Sequence, residues 1–389
     1  MHKFRPARIL AALIAVMMIA VACGPAGTAS PGAPSPGAQS PGAQSPAAQS
    51  PAAQSPAAQS PAGESPGGEG GWHIGVSNNI AGNGWREEMI CSIRAQALVS
   101  GEVDRLTVNH RTIDAAGQLE DIRNLIAADV DAIIVNPAGP EALNSALQEA
   151  IDAGIVVVAV DQAITLEDAY LLANNQEEYG YLGAKWLFEN LGGEGDVVYM
   201  RGAAGAQADD DRDRGWDRAL AEHPDINVVH EVHTGWDPVQ GAQQISDFLA
   251  TGTSFDGIWT SGIDIPIVEA LTNAGGNYAP VVGSDNAGFV QQLIELEDAG
   301  LTGAAVTNPA AVGGAGVVLA LQILNGDEPA ERHVLIDPEI WDNTTDEGRA
   351  MLDEANDPDI NPEWPLGIHV ADWTTYTKEE IIACNSPNE

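Results

Sequence analysis

The stretch Gly75–Met89, reading G-V-S-N-N-I-A-G-N-G-W-R-E-E-M, decides how the rest of the chain is read. An apolar run, His73 to Val76, breaks into a loop dense in Ser77, Asn78, Asn79, Gly82, Asn83 and Gly84. A helical period then begins at Trp85-Arg86-Glu87-Glu88. This predicts a strand that passes through a polar, glycine-loosened turn directly into a helix. Such a turn places donors and acceptors at the carboxyl end of a strand, where open parallel sheets hold their ligands. Asn83 both donates and accepts, Trp85 offers a flat apolar face, and Arg86 offers a rigid fork of donors. Together these groups suit a small polyhydroxylated molecule. Taken by itself the segment is equally compatible with an ordinary strand–helix turn carrying a surface tryptophan.

The same alternation recurs outward from this stretch. Leu106-Thr107-Val108 precedes a helix with Leu119, Ile122, Leu125 and Ile126 at three- and four-residue spacings. Ala132–Val135 precedes a helix from Pro140 to Ala153, and Ile155–Val160 follows. The pattern restarts with short apolar runs at Val197–Met200, Asn227–Val229, Gly257–Trp259, Val281–Gly283 and Ala304–Val306. Continuous apolar strands separated by amphipathic helices indicate parallel sheets buried on both faces. Two such series, each of about 100 residues, imply two similar α/β lobes. Polar side chains collect where these strands end: Asn136, Asp161-Gln162, Asp285 and Asn308, with Arg212 and Trp236 in later loops or helix starts. One such Asp alone reads as a helix cap. Two carboxylates and two amides at equivalent places in both series fit the hydroxyl array of a sugar, with an Arg donating in its plane and Trp85 and Trp236 stacking on a ring.

The N-terminal region carries other signals. Lys3, Arg5 and Arg8 precede an apolar run, Ile9–Ala22, which is short for a membrane span and suited to a signal-peptide core. Ala20-Val21-Ala22-Cys23 resembles a bacterial lipobox, so residues 1–22 are expected to be a signal peptide and Cys23 the lipidated first residue. Residues 23–71 repeat SPGAQ and SPAAQ, a composition that cannot bury a core, and read as a tether with a contour of roughly 150 Å. Cys91 and Cys384 are the remaining cysteines, and outside the cytoplasm they are most simply a disulfide, with two separate thiols as the alternative. The formal net charge is −40, and −43 once residues 1–22, with three basic groups and no acid, are removed. That field repels nucleic acid and anionic lipid heads.

In order and spacing, IGVSNN with GNGWREEM, AIIVNPAGPEAL, VVAVDQ, NNQEEYGYLGA, RDRGWDRAL, VVGSDNAG and TNPAAVGG resemble the type I periplasmic binding proteins of the ribose, galactose and xylose class. The resemblance covers residues 72 to about 336. It implies two Rossmann-like lobes joined by a three-segment hinge, with crossings near Asn174-Asn175, near Asn308-Pro309 and in the 330s. The first lobe would comprise 72–174 plus about 309–330, the second 175–308 plus about 331–340, followed by a C-terminal extension 341–389 that could be placed on the first lobe. The ligand-binding residues it implies are Asn83, Trp85, Arg86, Asn136, Asp161, Gln162, Arg212, Trp236, Asp285 and Asn308. Two positions depart from the ribose pattern: Gln162 stands where that pattern has Arg, and Ile263 where it has Asn. This turns the expectation from ribose toward another pentose, a hexose or an open-chain polyol, with Arg86 taking over part of the missing donor fork.

The implied function is an extracytoplasmic, lipid-anchored, monomeric receptor that delivers its ligand to the permease and ATPase of an ABC importer. The membrane would be reached only through the lipid anchor, and no nucleic acid, cofactor or metal is expected. A ligand-presenting sensor would share this fold and site. A lipoprotein enzyme is the third class, but the chain has no G-x-S-x-G elbow, Walker A loop or Rossmann glycine fingerprint after the first strand. Asp209-Asp210-Asp211 lacks the glycine and distal glutamate of a calcium loop and reads as an acidic helix start.

Overall fold

A computed structural model of the chain describes residues 71–388. The expected signal peptide, lipidated Cys23 and most of the repeat tether lie outside the described residues. The first series is β1 (Trp72–Asn78), α1 (Gly84–Ser100), β2 (Val103–His110), α2 (Ala115–Ala127), β3 (Ala132–Asn136), α3 (Asn144–Asp152), β4 (Val156–Val160) and β5 (Tyr170–Asn174). The second is α4 (Gln176–Asn190), β6 (Glu194–Arg201), α5 (Gln207–Glu222), β7 (Asp225–His233), α6 (Pro238–Ala250), β8 (Gly257–Thr260), α7 (Asp264–Asn273), β9 (Val281–Ser284), α8 (Ala287–Glu295) and β10 (Gly303–Val306). The chain then returns as α9 (Val312–Leu324) and β11 (His333–Ile336), and ends with β12 (Ile340–Asp342), α10 (Asp346–Ala355) and α11 (Lys378–Ala383).

Two six-stranded sheets result, ordered β11-β5-β4-β3-β1-β2 and β12-β10-β9-β8-β6-β7. Every pairing is parallel except β10 with β12. The strands are apolar on both faces because helices cover both. In the first sheet Ile74, Ile134 and Val158 face α1 and α9, and Ile133, Val135 and Val157 face α2 and α3. Burying one such side chain fully contributes about 1.5–3 kcal/mol, so these strands supply much of each lobe's stability. The expected parallel, doubly covered α/β architecture is the observed one.

The chain crosses between the sheets at Asn174–Gln176, at Thr307–Ala311 and between β11 and β12. The third crossing corrects the expected boundary, which placed residues 331–340 in the second lobe. His333–Ile336 instead pairs with β5, where Val334 and Ile336 cover the first core and the strand closes an otherwise open sheet edge. The crossing therefore lies at Asp337–Glu339. Strand β5 (Tyr-Leu-Leu-Ala-Asn) was also not anticipated, although all five of its residues are buried.

In the second lobe, α4 and α5 meet at backbone contact distance. A β-carbon on Gly180 would lie 2.1 Å from the Arg212 carbonyl oxygen, and one on Gly215 would lie 2.0 Å from that of Glu177. Only glycine at both places lets the helices approach so closely, and that approach fixes where Arg212 emerges.

Beyond β12 the extension runs over both lobes. Helix α10 packs on β12, and Leu352 enters the second-lobe core. Residues 360–384 then cross to the first lobe. Cys384 is disulfide-bonded to Cys91 of α1, as the pairing of the two cysteines anticipated. The Asn388 carbonyl accepts from Leu106 N at 3.1 Å, so Asn388 lies on the outer edge of β2, whose other edge pairs with β1 from Trp72.

Candidate functional site

A cavity of about 450 Å³ lies between the lobes at the carboxyl ends of the strands. Asn83, Trp85, Arg86, Asp161, Arg212, Trp236 and Asn308, seven of the ten residues expected at the site, line it.

On the first lobe, Asn83 caps α1, its Oδ1 accepting from Arg86 N at 2.9 Å. That cap turns the first residues of the helix toward the cleft. Arg86 is buried, donates to Asn78 Oδ1 at 2.8 Å and pairs with Asp161 at 3.4 Å. Burial lowers the pKa of Arg86, and the carboxylate of Asp161 opposes that shift. The Asp161 carboxylate also accepts from Asn136 Nδ2 at 3.0 Å and Gln176 Nε2 at 3.3 Å. Its backbone is left-handed, with φ 65°. Asn136 and Gln162 differ from expectation: neither lines the cavity. The amide of Asn136 is spent on Asp161 and on Met89 Sδ, and Gln162 donates to Asn136 Oδ1 at 3.3 Å. They orient the carboxylate from behind.

On the second lobe, Arg212 is buried and donates from Nε to Gln176 Oε1 at 2.8 Å and from Nη1 to Ser261 Oγ at 2.9 Å. Its guanidinium lies 3.9 Å from the centre of the Tyr179 ring, a cation–π contact that holds it flat. The Trp236 indole donates to the Ser261 carbonyl at 2.9 Å, and its backbone also lies in the left-handed region, with φ 54°. A bulky residue there costs roughly 1–3 kcal/mol, and such strain concentrates at ligand clamps. Between the lobes, the side-chain amides of Asn174 and Gln176 meet that of Asn308 at 2.9 and 3.1 Å. The Trp85 indole donates to the Asn308 carbonyl at 2.7 Å. Trp85 is thus tied to a hinge crossing as well as facing the cavity.

Asp285 is the third departure. It is fully buried, and its carboxylate accepts from Asn308 N at 2.9 Å and Gly367 N at 3.1 Å. It fastens the hinge and the C-terminal extension instead of opening into the cleft. Its neighbour Asp264, which does line the cavity, accepts from Ser284 N at 2.8 Å and Asn286 Nδ2 at 3.0 Å. Burial pushes both carboxyls up to about 6. Sequence reasoning missed Gln176, Asp264, Ser261 and Asn286. Gln176 carried a signal, since it follows directly on Asn174-Asn175 at a crossing. Asp264 sits one position from the departing Ile263. The expected acidic helix start differs in one respect: Asp209 is buried and accepts from Gly202 N at 2.6 Å and Arg201 Nη2 at 3.0 Å.

The lining contains no His, Cys or Lys. It offers paired donors and acceptors, two indole faces and an apolar patch of Ile263, Ile265 and Pro266. That combination holds and orients a neutral polar molecule by hydrogen bonding and stacking. Two parallel α/β lobes on a three-segment hinge, with such a cleft between them, define a bilobal ligand-binding protein. Residues 74–328 match the periplasmic binding protein domain, and the chain belongs to that family. It is 27% identical over 247 residues to the xylitol-binding protein of Mycolicibacterium smegmatis, covering 62% of this chain and 70% of that one. It is 24% identical over 234 residues to the ribose import binding protein of Escherichia coli, covering 58% of this chain and 78% of that one. Among solved structures, it superposes with a TM-score of 0.68 on an ABC transporter solute binding protein from Thermobispora bispora. That pair is 26% identical and covers 80% of this chain and 94% of the other.

Proposed function

We propose that the protein captures a neutral monosaccharide or polyol between its lobes and hands it to an ABC importer, acting as an extracytoplasmic lipoprotein anchored through Cys23. The observation that supports this most is the cavity itself, in which Arg86 and Asp161 of one lobe oppose Arg212 and Trp236 of the other. A ligand whose hydroxyls satisfy both sides favours the closed arrangement. Closure is then a population shift set by the difference in affinity between closed and open forms. No bond is made or broken.

Gln162 turned behind the wall, and Ile263 with Ile265 and Pro266 in it, favour a ligand less polar along one edge than ribose. The relatives named for xylitol and ribose put acyclic and cyclic candidates on the same footing. The test is a thermal-shift screen of the purified protein against pentoses, hexoses and polyols. A ligand at 100 times its Kd adds about 2.7 kcal/mol and raises the melting point by several degrees. No shift with any of them, together with a shift from a peptide or an anion, overturns the reading.

A further inference from the structure

Residues Asn361, Pro362 and Glu363 line the cavity, yet they lie more than thirty residues beyond the end of the matched domain at residue 328. They belong to the extension and are held from both sides. Toward the second lobe, Gly288 N donates to the Pro362 carbonyl and Ala287 N to that of Trp364, each at 2.8 Å. Leu366 N donates to the Asp285 carbonyl at 2.9 Å, and Gly367 N to the Asp285 carboxylate. Toward the first lobe, Thr375 N donates to Gln96 Oε1 at 2.8 Å, and Cys384 is bonded to Cys91. A small separate core, with Cys91 and Ala95 from α1, Ala287 from α8, and Ile360, Trp364 and Tyr376 from the extension, seals the junction. The contact with the first-lobe loop is intimate: a β-carbon on Gly84 would lie 2.1 Å from the Glu363 carbonyl oxygen.

We propose that this segment is a strap that forms a third wall of the binding cavity, with Asn361 and Glu363 as specificity-determining residues for the ligand. The inference rests on the reading of the cleft as a sugar or polyol site. Two lobes alone would leave the cavity open between Gly84, against which Glu363 packs, and the start of α8, where Gly288 N donates to the Pro362 carbonyl. The strap fills that side with an amide, a pyrrolidine ring and a carboxylate, and all three residues are solvent-exposed as well as lining the cavity. An exposed carboxylate there accepts from hydroxyls and repels anionic sugars, so phosphorylated and uronic acid ligands are excluded at entry. Because the strap is fixed to both lobes, it limits how far they part and selects for ligands small enough to enter.

The experiment is calorimetry of the full chain and of the Asn361→Ala/Glu363→Ala double variant. The panel is D-ribose, D-xylose, D-galactose, xylitol and D-glucuronate, with far-ultraviolet circular dichroism as a check of folding. The expected result is wild-type binding of at least one neutral member. In the double variant its Kd should rise at least tenfold or the order of preference change, and the discrimination against glucuronate should narrow. If the double variant fails to fold, Glu363→Gln, which leaves the backbone contacts intact, is measured for loss of that discrimination. Wild-type binding with affinities and ranking unchanged within twofold in the variant overturns the strap proposal and leaves the cleft reading standing. Wild-type protein that binds no neutral member here and none in the thermal-shift screen, while a peptide or an anion does bind, overturns both.

Discussion

Stability should fall as the pH rises from 4.5 to 7.5, and Asp285 should account for a definable share of that fall. Asp285 and Asp264 are fully buried, and burial pushes each carboxyl from 3.8 up to about 6. An unfolded chain releases these protons near pH 3.8 and the folded one near 6. In the interval the folded state binds more protons, so stability declines as pH rises and the loss is complete above 6. Between pH 4.5 and 7.5 a shift of that size costs about 2 kcal/mol for each carboxyl. Glu88 acts in the same direction: burial, with Asp285 nearby, raises its pKa well above 4.5, and neither carboxylate oxygen has a hydrogen-bond partner among the described residues. His73 and His369 act oppositely, because burial lowers their pKa and stability is lost as pH falls through that range. Comparison with Asp285→Asn cancels the contributions of the two histidines and Asp264, and because Asp285 also raises the Glu88 pKa, what the variant removes from Glu88 adds to the change in the same direction. The variant keeps an acceptor for Asn308 N but loses one for Gly367 N, so it is less stable overall and its pH dependence is flatter. The assay is guanidinium unfolding followed by tryptophan fluorescence at pH 4.5 and 7.5, with exposed ion pairs screened by the denaturant itself. The stability difference between wild type and variant should shrink by at least about 2 kcal/mol from the lower to the higher pH. Parallel pH dependences for the two proteins would refute the argument.

Two further outcomes are expected. Asp161→Ala leaves Arg86 buried without its carboxylate and removes the acceptor shared by Asn136 and Gln176. Ligand affinity measured by calorimetry should fall by about 2–5 kcal/mol, at least about 30-fold, and near-native affinity would remove Asp161 from the site. Cys384→Ser opens a loop closed across 293 residues and should lower unfolding stability by about 2–5 kcal/mol. Unchanged denaturation midpoints for oxidised wild type and variant would show that noncovalent contacts alone hold the strap.

The lobes were legible because their strands are continuous apolar runs between amphipathic helices, a pattern that depends only on burial of both sheet faces. Strand β5 escaped because Tyr170–Asn174 runs straight into the helix beginning at Gln176, with no glycine or proline to separate them. Strand β11 escaped because a four-residue edge strand with alternating exposure carries little periodicity. Within the site, residue type predicted which side chains carry the right chemistry but not which way they face. Asn136 and Asp285 end strands just as Asp161 and Asn308 do, yet tertiary partners turn them into supports. For Asp285 those partners are two backbone amides, one of them 82 residues away at Gly367. No local pattern encodes such a contact. The strap was invisible for the same reason: its role depends on where the disulfide and the small core at Trp364 bring it.

The arrangement at β2 bears on how this protein can be rebuilt. Trp72 pairs alongside Val103, and Asn388 lies on the opposite side of the same strand, donating from Nδ2 to the Asp104 carbonyl at 3.2 Å. The two ends of the folded body therefore leave it on either side of one strand, about 10 Å apart. A short glycine-serine linker can join residue 388 to residue 71, and the chain can be reopened in the exposed turn at residues 251–254 without cutting a strand or a helix. Such a circular permutant would carry its new ends on the second lobe. A pair of fluorophores, one there and one on the first lobe, would convert lobe closure into an optical signal.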